Sequence, residues 1–102
     1  MRYQTAPGAH VFAPCGGTVE FAAPFRSYGR LVIIDCGNDY RFVLAGMQQL
    51  LVAPGTSIAA GEAVGVMAGW QPGSNGPRPT LYLELHHGGA VVNPLPWLHA
   101  RG

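Results

Sequence analysis

Lysine is absent from this 102-residue chain: all six basic residues are arginines. That excludes a biotinyl or lipoyl carrier, whose group hangs on a lysine, although the small turns and single apolar anchors of Val52–Gly65 otherwise have that look. Charge of either sign is scarce. Charged residues make up 11% of the chain, against roughly 25% in ordinary soluble domains, and the net charge is +1. No basic footprint for nucleic acid is present. No apolar stretch approaches the roughly 18 to 20 residues of a membrane span, so this segment carries no membrane insertion. The first residues, Met1–Ala6, lack the apolar run of a signal peptide. That leaves a cytoplasmic chain or one domain of a longer precursor. The length supports one domain with a single modest core.

What the chain does have is turn chemistry: 15 glycines and 9 prolines. Between the turns lie short runs with strand character. Residues 9–13 end at Pro14, and Gly16-Gly17 supply a turn. Thr18–Ala22 alternates polar and apolar, the period of a half-buried strand. Leu31–Ile34 is β-branched and stops at Asp35–Asp39, and Tyr40–Leu44 resumes a strand expected to break at Gly46. Trp70 to Pro79 reads as loop. The last long strand runs from Thr80 to about His86 and turns back at Gly88-Gly89 through Ala90–Val92, and only Leu95–Leu98 invites a helical turn. Short strands with closely spaced turns predict an all-β fold, a compact antiparallel sandwich or half-barrel. On the last strand, Leu81, Leu83 and Leu85 form the core set. Thr80, Tyr82, Glu84 and His86 point the other way.

Several segments, in order, resemble the LytM domains of peptidase family M23. Gly8–Val19 is similar to the family's Gly-x-x-Val-x-Ala-Pro-x-x-Gly-x-Val, and Tyr28–Asp35 to its Tyr-Gly-x-x-Val-x-Ile. Val52–Gly65 resembles a run of Val and Gly at threefold spacing that ends Ile-Gly. Thr80–Leu85 followed by Val91–Leu98 resembles the family's end. The combination of Phe25–Gly29, Leu44–Gly46 and Pro79–Glu84 is closer still to the EnvC-type murein hydrolase activators, the degenerate LytM branch. The resemblance implies one degenerate LytM domain over residues 1–102, the C-terminal part of a longer, exported, periplasmic protein.

Catalytic members carry His-Leu-His-Phe-Glu on the last strand, with both histidines serving zinc. Those two positions are Thr80 and Tyr82 here. The family's aspartate ligand falls on Arg2, whose cation repels Zn²⁺, and a catalytic histidine falls on Gly46, which has no side chain. Zinc prefers imidazole, thiolate and carboxylate. The resemblance thus implies no metal, no cofactor and no catalytic residue. The chain's four histidines offer no substitute, since none has the spacing that puts two imidazoles on one face. His86 shares the row of Tyr82 and Glu84, at a position that is commonly arginine in the activator branch.

Cys15 and Cys36 could be zinc ligands or a nucleophile, but no histidine arrangement accompanies either. In an extracytoplasmic domain an even pair suggests a disulfide. A hairpin turning near Phe25-Arg26 would set Cys15 opposite Cys36.

The function this implies is regulatory: a non-catalytic domain that binds and activates a periplasmic peptidoglycan (N-acetylmuramoyl-L-alanine) amidase during cell-wall remodelling and division. The expected partner groove comprises Tyr28, Arg30, Leu44, Thr80, Tyr82, Glu84 and His86, with the two tyrosines as anchors and Arg30 and Glu84 fixing charge register. The alternative is a scaffold that holds peptidoglycan without acting on an enzyme.

Overall fold

The computed structural model describes residues 1–73, 75–76 and 78–98. The strands among them are β1 (Arg2–Gln4), β2 (His10–Phe12), β3 (Gly17–Pro24), β4 (Arg30–Gly37), β5 (Tyr40–Met47), β6 (Gln49–Leu50), β7 (Ser57–Ile58), β8 (Ala63–Val66), β9 (Thr80–His87) and β10 (Ala90–Val92). A single helical turn, α1 (Leu95–Leu98), follows them. Every pairing is antiparallel. The larger sheet runs β1-β9-β5-β4-β3-β7, with β10 also pairing β9, and the smaller runs β2-β8-β6. The fold is the all-β arrangement expected from the turn spacing.

Alternation along β3, β4, β5 and β9 gives the larger sheet two faces. On the inner face Val32 opposes Leu44, which opposes Leu83, and Ile34 opposes Phe42, which opposes Leu85. These residues are almost wholly buried and pack with Val11, Val64, Met47 and Met67 of the smaller sheet and its flanks. On the outer face the matching rows are Leu31–Ala45–Tyr82–Arg2 and Phe21–Ile33–Val43–Glu84. The core contains no buried polar or charged residue among those described.

Three sequence expectations change here. Leu44 belongs to the core and not to a partner groove: its side chain is 1% exposed and lies opposite Leu83. The strand expected to break at Gly46 continues to Met47, because Gly46, at a positive φ, is taken up as a bulge between the Leu31–Ala45 and Arg30–Met47 pairs. The β3–β4 hairpin turns through a 3-10 turn at Arg26–Tyr28, and its register pairs Thr18 with Asp35 and, past a bulge at Glu20, Phe21 with Ile33. The register assumed for the cysteines was therefore out by about two residues.

A disulfide nonetheless joins Cys15 to Cys36, with Cα atoms 5.8 Å apart. Cys15 sits ahead of β3, outside the ladder, and so is free of its register. The bond closes the open end of the β3–β4 hairpin across a sequence separation of 21. Loop closure of that size stabilises by about 3 kcal/mol in the chain-entropy model. A Cys15→Ser/Cys36→Ser variant should lose about that much in urea unfolding, and the parent should lose it on adding reductant. An unchanged midpoint in both would show that the bond contributes nothing to stability.

Candidate functional site

The outer row of β9 borders a cleft of about 390 Å³ lined by Arg2, Ser27, Tyr28, Ala45, Gly46, Thr80 and Tyr82. β1 brings Arg2 directly opposite Tyr82, and β5 brings Ala45 to the other side of the same tyrosine. The 3-10 turn after β3 carries Tyr28 over the cleft, 52% exposed, with its ring centroid 6.4 Å from that of Tyr82. Arg2, Gly46, Thr80 and Tyr82, which lie far apart in sequence, thus line one space. Its lining offers a guanidinium, hydroxyls and backbone, with no imidazole, thiolate or carboxylate. That donor set does not fit zinc. Among the described residues no group of three or more His, Cys, Asp or Glu side chains could hold a metal.

Gly46 is structurally required. Its φ is +104°, and a Cβ built there would lie 2.4 Å from the Thr80 carbonyl oxygen. Any side chain at this point, histidine included, would push β5 and β9 apart. Gly46→Ala should therefore cost about 2 kcal/mol or more, lowering Tm by roughly 10 °C. Gly55→Ala has a comparable φ of +87° but open space around it, so it should cost less. Equal losses in paired thermal melts would mean that the Thr80 contact is not the cause.

Beyond the cleft the outer row continues into Glu84 and His86. The Tyr82 hydroxyl donates to Glu84 Oε2, and His86 Nε2 is hydrogen-bonded to Glu84 Oε1. The Tyr82 bond is the main influence holding the Glu84 carboxyl below its ordinary range; burial opposes it, and His86 adds to it through its hydrogen bond and charge. The same bond, aided by burial and the carboxylate's charge, raises the Tyr82 phenol. A carboxyl whose pKa falls on folding contributes stability above its unfolded pKa, and that contribution disappears as pH drops through the folded value. Titration of the Glu84 side-chain carbon by NMR should give a midpoint below the ordinary glutamate value, and Tyr82→Phe should move it upward. A midpoint unmoved by Tyr82→Phe would remove the tyrosine as the cause.

Tyr28, Thr80 and Tyr82 are thus brought together at the cleft. Glu84 and His86 share the row without lining the cleft, and Arg30, exposed at the head of β4, also stands outside its lining. Of the other histidines, His87 lies on the opposite face of β9, stacked on Tyr40 with centroids 3.9 Å apart, His10 stacks on Phe12, and His99 lies outside the described residues. Sequence reasoning missed a neighbouring apolar hollow of about 140 Å³ lined by Phe21, Phe25, Leu31 and Ile33. Its rings run into the cleft: Phe21 meets Phe25 edge-on at 6.1 Å, and Phe25 stacks on Tyr28 at 6.2 Å. The available signal was the unbroken apolar run Leu31–Ile34, because a strand apolar at every position covers both faces.

The chain belongs to peptidase family M23, whose profile matches residues 1–94. It is 35% identical over 96 residues to an uncharacterised protein of Neisseria meningitidis serogroup B, covering 94% of this chain and 15% of that one. It is 33% identical over 91 residues to the murein hydrolase activator EnvC of Escherichia coli, covering 89% of this chain and 21% of EnvC. It is also 33% identical over 96 residues to the E. coli murein hydrolase activator NlpD, covering 92% and 24%. The chain therefore spans less than a quarter of the length of these relatives. In fold it matches the antimicrobial peptidase lysostaphin from Staphylococcus simulans with a TM-score of 0.78 at 17% identity, covering 99% of this chain and 43% of lysostaphin. Named relatives thus include activators of cell-wall hydrolases, and structural neighbours include peptidases.

Proposed function

We propose that this chain is a non-catalytic LytM domain that binds and activates a peptidoglycan amidase in the periplasm. The observation that carries the reading is the cleft itself. The positions where the family's catalytic members hold zinc and its catalytic histidine correspond to Arg2, Gly46, Thr80 and Tyr82, and these line one space with no zinc donor set. With metal chemistry removed, what remains is a shaped surface whose floor is aromatic and whose flank is apolar. Buried aromatic anchors of that kind supply most of the energy in protein recognition. Similarity to EnvC and NlpD, both named murein hydrolase activators, supports the same conclusion. The Cys15–Cys36 bond fits an oxidising compartment such as the periplasm. No helix among the described residues is long and apolar enough to cross a membrane.

The test is amidase activity on purified sacculi, using the cell-wall amidases of the source organism with and without this chain. The chain alone should release no peptidoglycan fragments and should bind no stoichiometric zinc, and it should stimulate one amidase. Tyr82→Ala and Tyr28→Ala should each weaken that stimulation by about 2 kcal/mol, roughly thirtyfold in apparent affinity. Phe12→Ala, which removes an equally exposed ring from the smaller sheet, should leave it unchanged. Full stimulation by a normally melting Tyr82→Ala variant would refute the groove. Sacculus binding without stimulation of any amidase would identify a scaffold instead.

A further inference from the structure

The charges of the outer face are segregated in a way that the amidase reading does not explain. All five acidic residues are engaged locally. Glu20 accepts from Arg41 at 2.6 Å, Asp39 lies 3.8 Å from the same arginine, and Asp35 accepts from the Gly37 amide. Glu62 accepts from the Ala59 amide, and both oxygens of Glu84 are taken by Tyr82 and His86. Four described arginines have no such partner: Arg78, which lies over the Trp70 ring, and three that stand around the cleft. Arg2 lines the cleft, Arg26 sits in the 3-10 turn beside Tyr28 with a φ of +52°, and Arg30 opens β4 just beyond it. Among the described residues no carboxylate lies within ion-pairing distance of any of them.

Arg2 is the best placed of the three. Its guanidinium carbon lies 5.9 Å from the centroid of the Tyr82 ring, an arrangement that orients the group without using its N–H donors. A guanidinium presents those donors in a planar fork that matches a carboxylate. Ser27 and Thr80 add hydroxyls to the cleft lining. The apolar hollow of Phe21, Phe25, Leu31 and Ile33 adjoins through Tyr28. An occupant that satisfies the whole surface must carry one carboxylate beside apolar side chains. A polar cell-wall peptide supplies the first and not the second, whereas a protein segment supplies both.

We propose that the Arg2 end of the cleft receives an aspartate or glutamate of a bound protein segment whose neighbouring apolar side chains cover the Phe25–Ile33 hollow. This deepens the reading above, on which the segment belongs to the amidase. The cation standing at a former metal-ligand position would then select the partner by charge, while the aromatic floor supplies affinity.

The probe is a display library of random 20-residue peptides, selected on the 102-residue chain, with the enriched peptides synthesised and titrated. Enriched peptides should share an acidic residue next to apolar ones. Arg2→Gln should weaken them about tenfold or more and Arg2→Glu further, with unchanged thermal melts, since Arg2 is exposed and contributes only backbone to β1. Replacing the peptide's acid by lysine should abolish binding to the parent and restore it to Arg2→Glu. Peptides that need Tyr82 but tolerate Arg2→Gln would overturn the carboxylate site and leave the groove standing. Peptides indifferent to both Tyr82→Ala and Arg2→Gln would overturn groove and site together. A diaminopimelate-containing stem peptide that displaces them and shifts the Arg2 Nε resonance would assign the site to the cell wall and overturn the protein-segment proposal. Arg2-dependent acidic peptides alongside unstimulated amidases would keep this site and reject the amidase as its owner.

Discussion

The pairing of β5 with β9 decides both faces of the molecule at once. Leu44 opposite Leu83 and Phe42 opposite Leu85 fill the core, and the same register puts Ala45 beside Tyr82 and Val43 beside Glu84 on the outside. A slip of one residue would send the leucines to water and the tyrosine inward, so the buried leucines hold the cleft in place. Gly46 permits the tightest part of this contact, where the Thr80 carbonyl comes too close for any side chain. The small Ala45 matters for a related reason. Between Leu31 and Tyr82, it leaves room for the cleft that a larger residue would fill.

Much of this was legible because the governing signal has period two. The alternation from Thr80 to His86 predicted which side chains share the outer row, and the observed register agrees. The error over Leu44 came from treating a motif segment as a unit. Leu44, Ala45 and Gly46 are consecutive, so they cannot all face one cleft, and alternation applied to β5 as it was to β9 would have put Leu44 inside. The hairpin register failed for a different reason. A bulge at Glu20 and a turn built on a positive φ at Arg26 are backbone events with weak sequence signatures. β1 escaped notice because three residues carry too little pattern to register as a strand. Its place beside β9 is what makes Arg2 part of the cleft wall.

A guanidinium such as that of Arg2 differs from a bound dication in what it offers a ligand. Zinc supplies positive potential and also polarises a carbonyl or a water. A guanidinium supplies only the first, since it has no vacant orbital and gives up no proton near neutral pH. Arg2 therefore gives its end of the cleft an attraction for anionic oxygen. Glu84 could have cancelled that attraction, being the nearest acid along the row. Its two oxygens are instead turned to Tyr82 and His86, which leaves the Arg2 end uncompensated.

The position of His86 gives this arrangement a consequence. Its Nε2 is hydrogen-bonded to Glu84 Oε1 on the side away from the cleft. Tyr82 holds the other oxygen throughout, because its phenol is pushed further from ionisation. Glu84 is thus tethered from the side that faces the cleft by Tyr82 and from the far side by His86. Loss of the His86 side chain would remove only the far contact, leaving the tyrosine ring, and with it the Arg2 guanidinium over it, where the register of β1, β9 and β5 puts them.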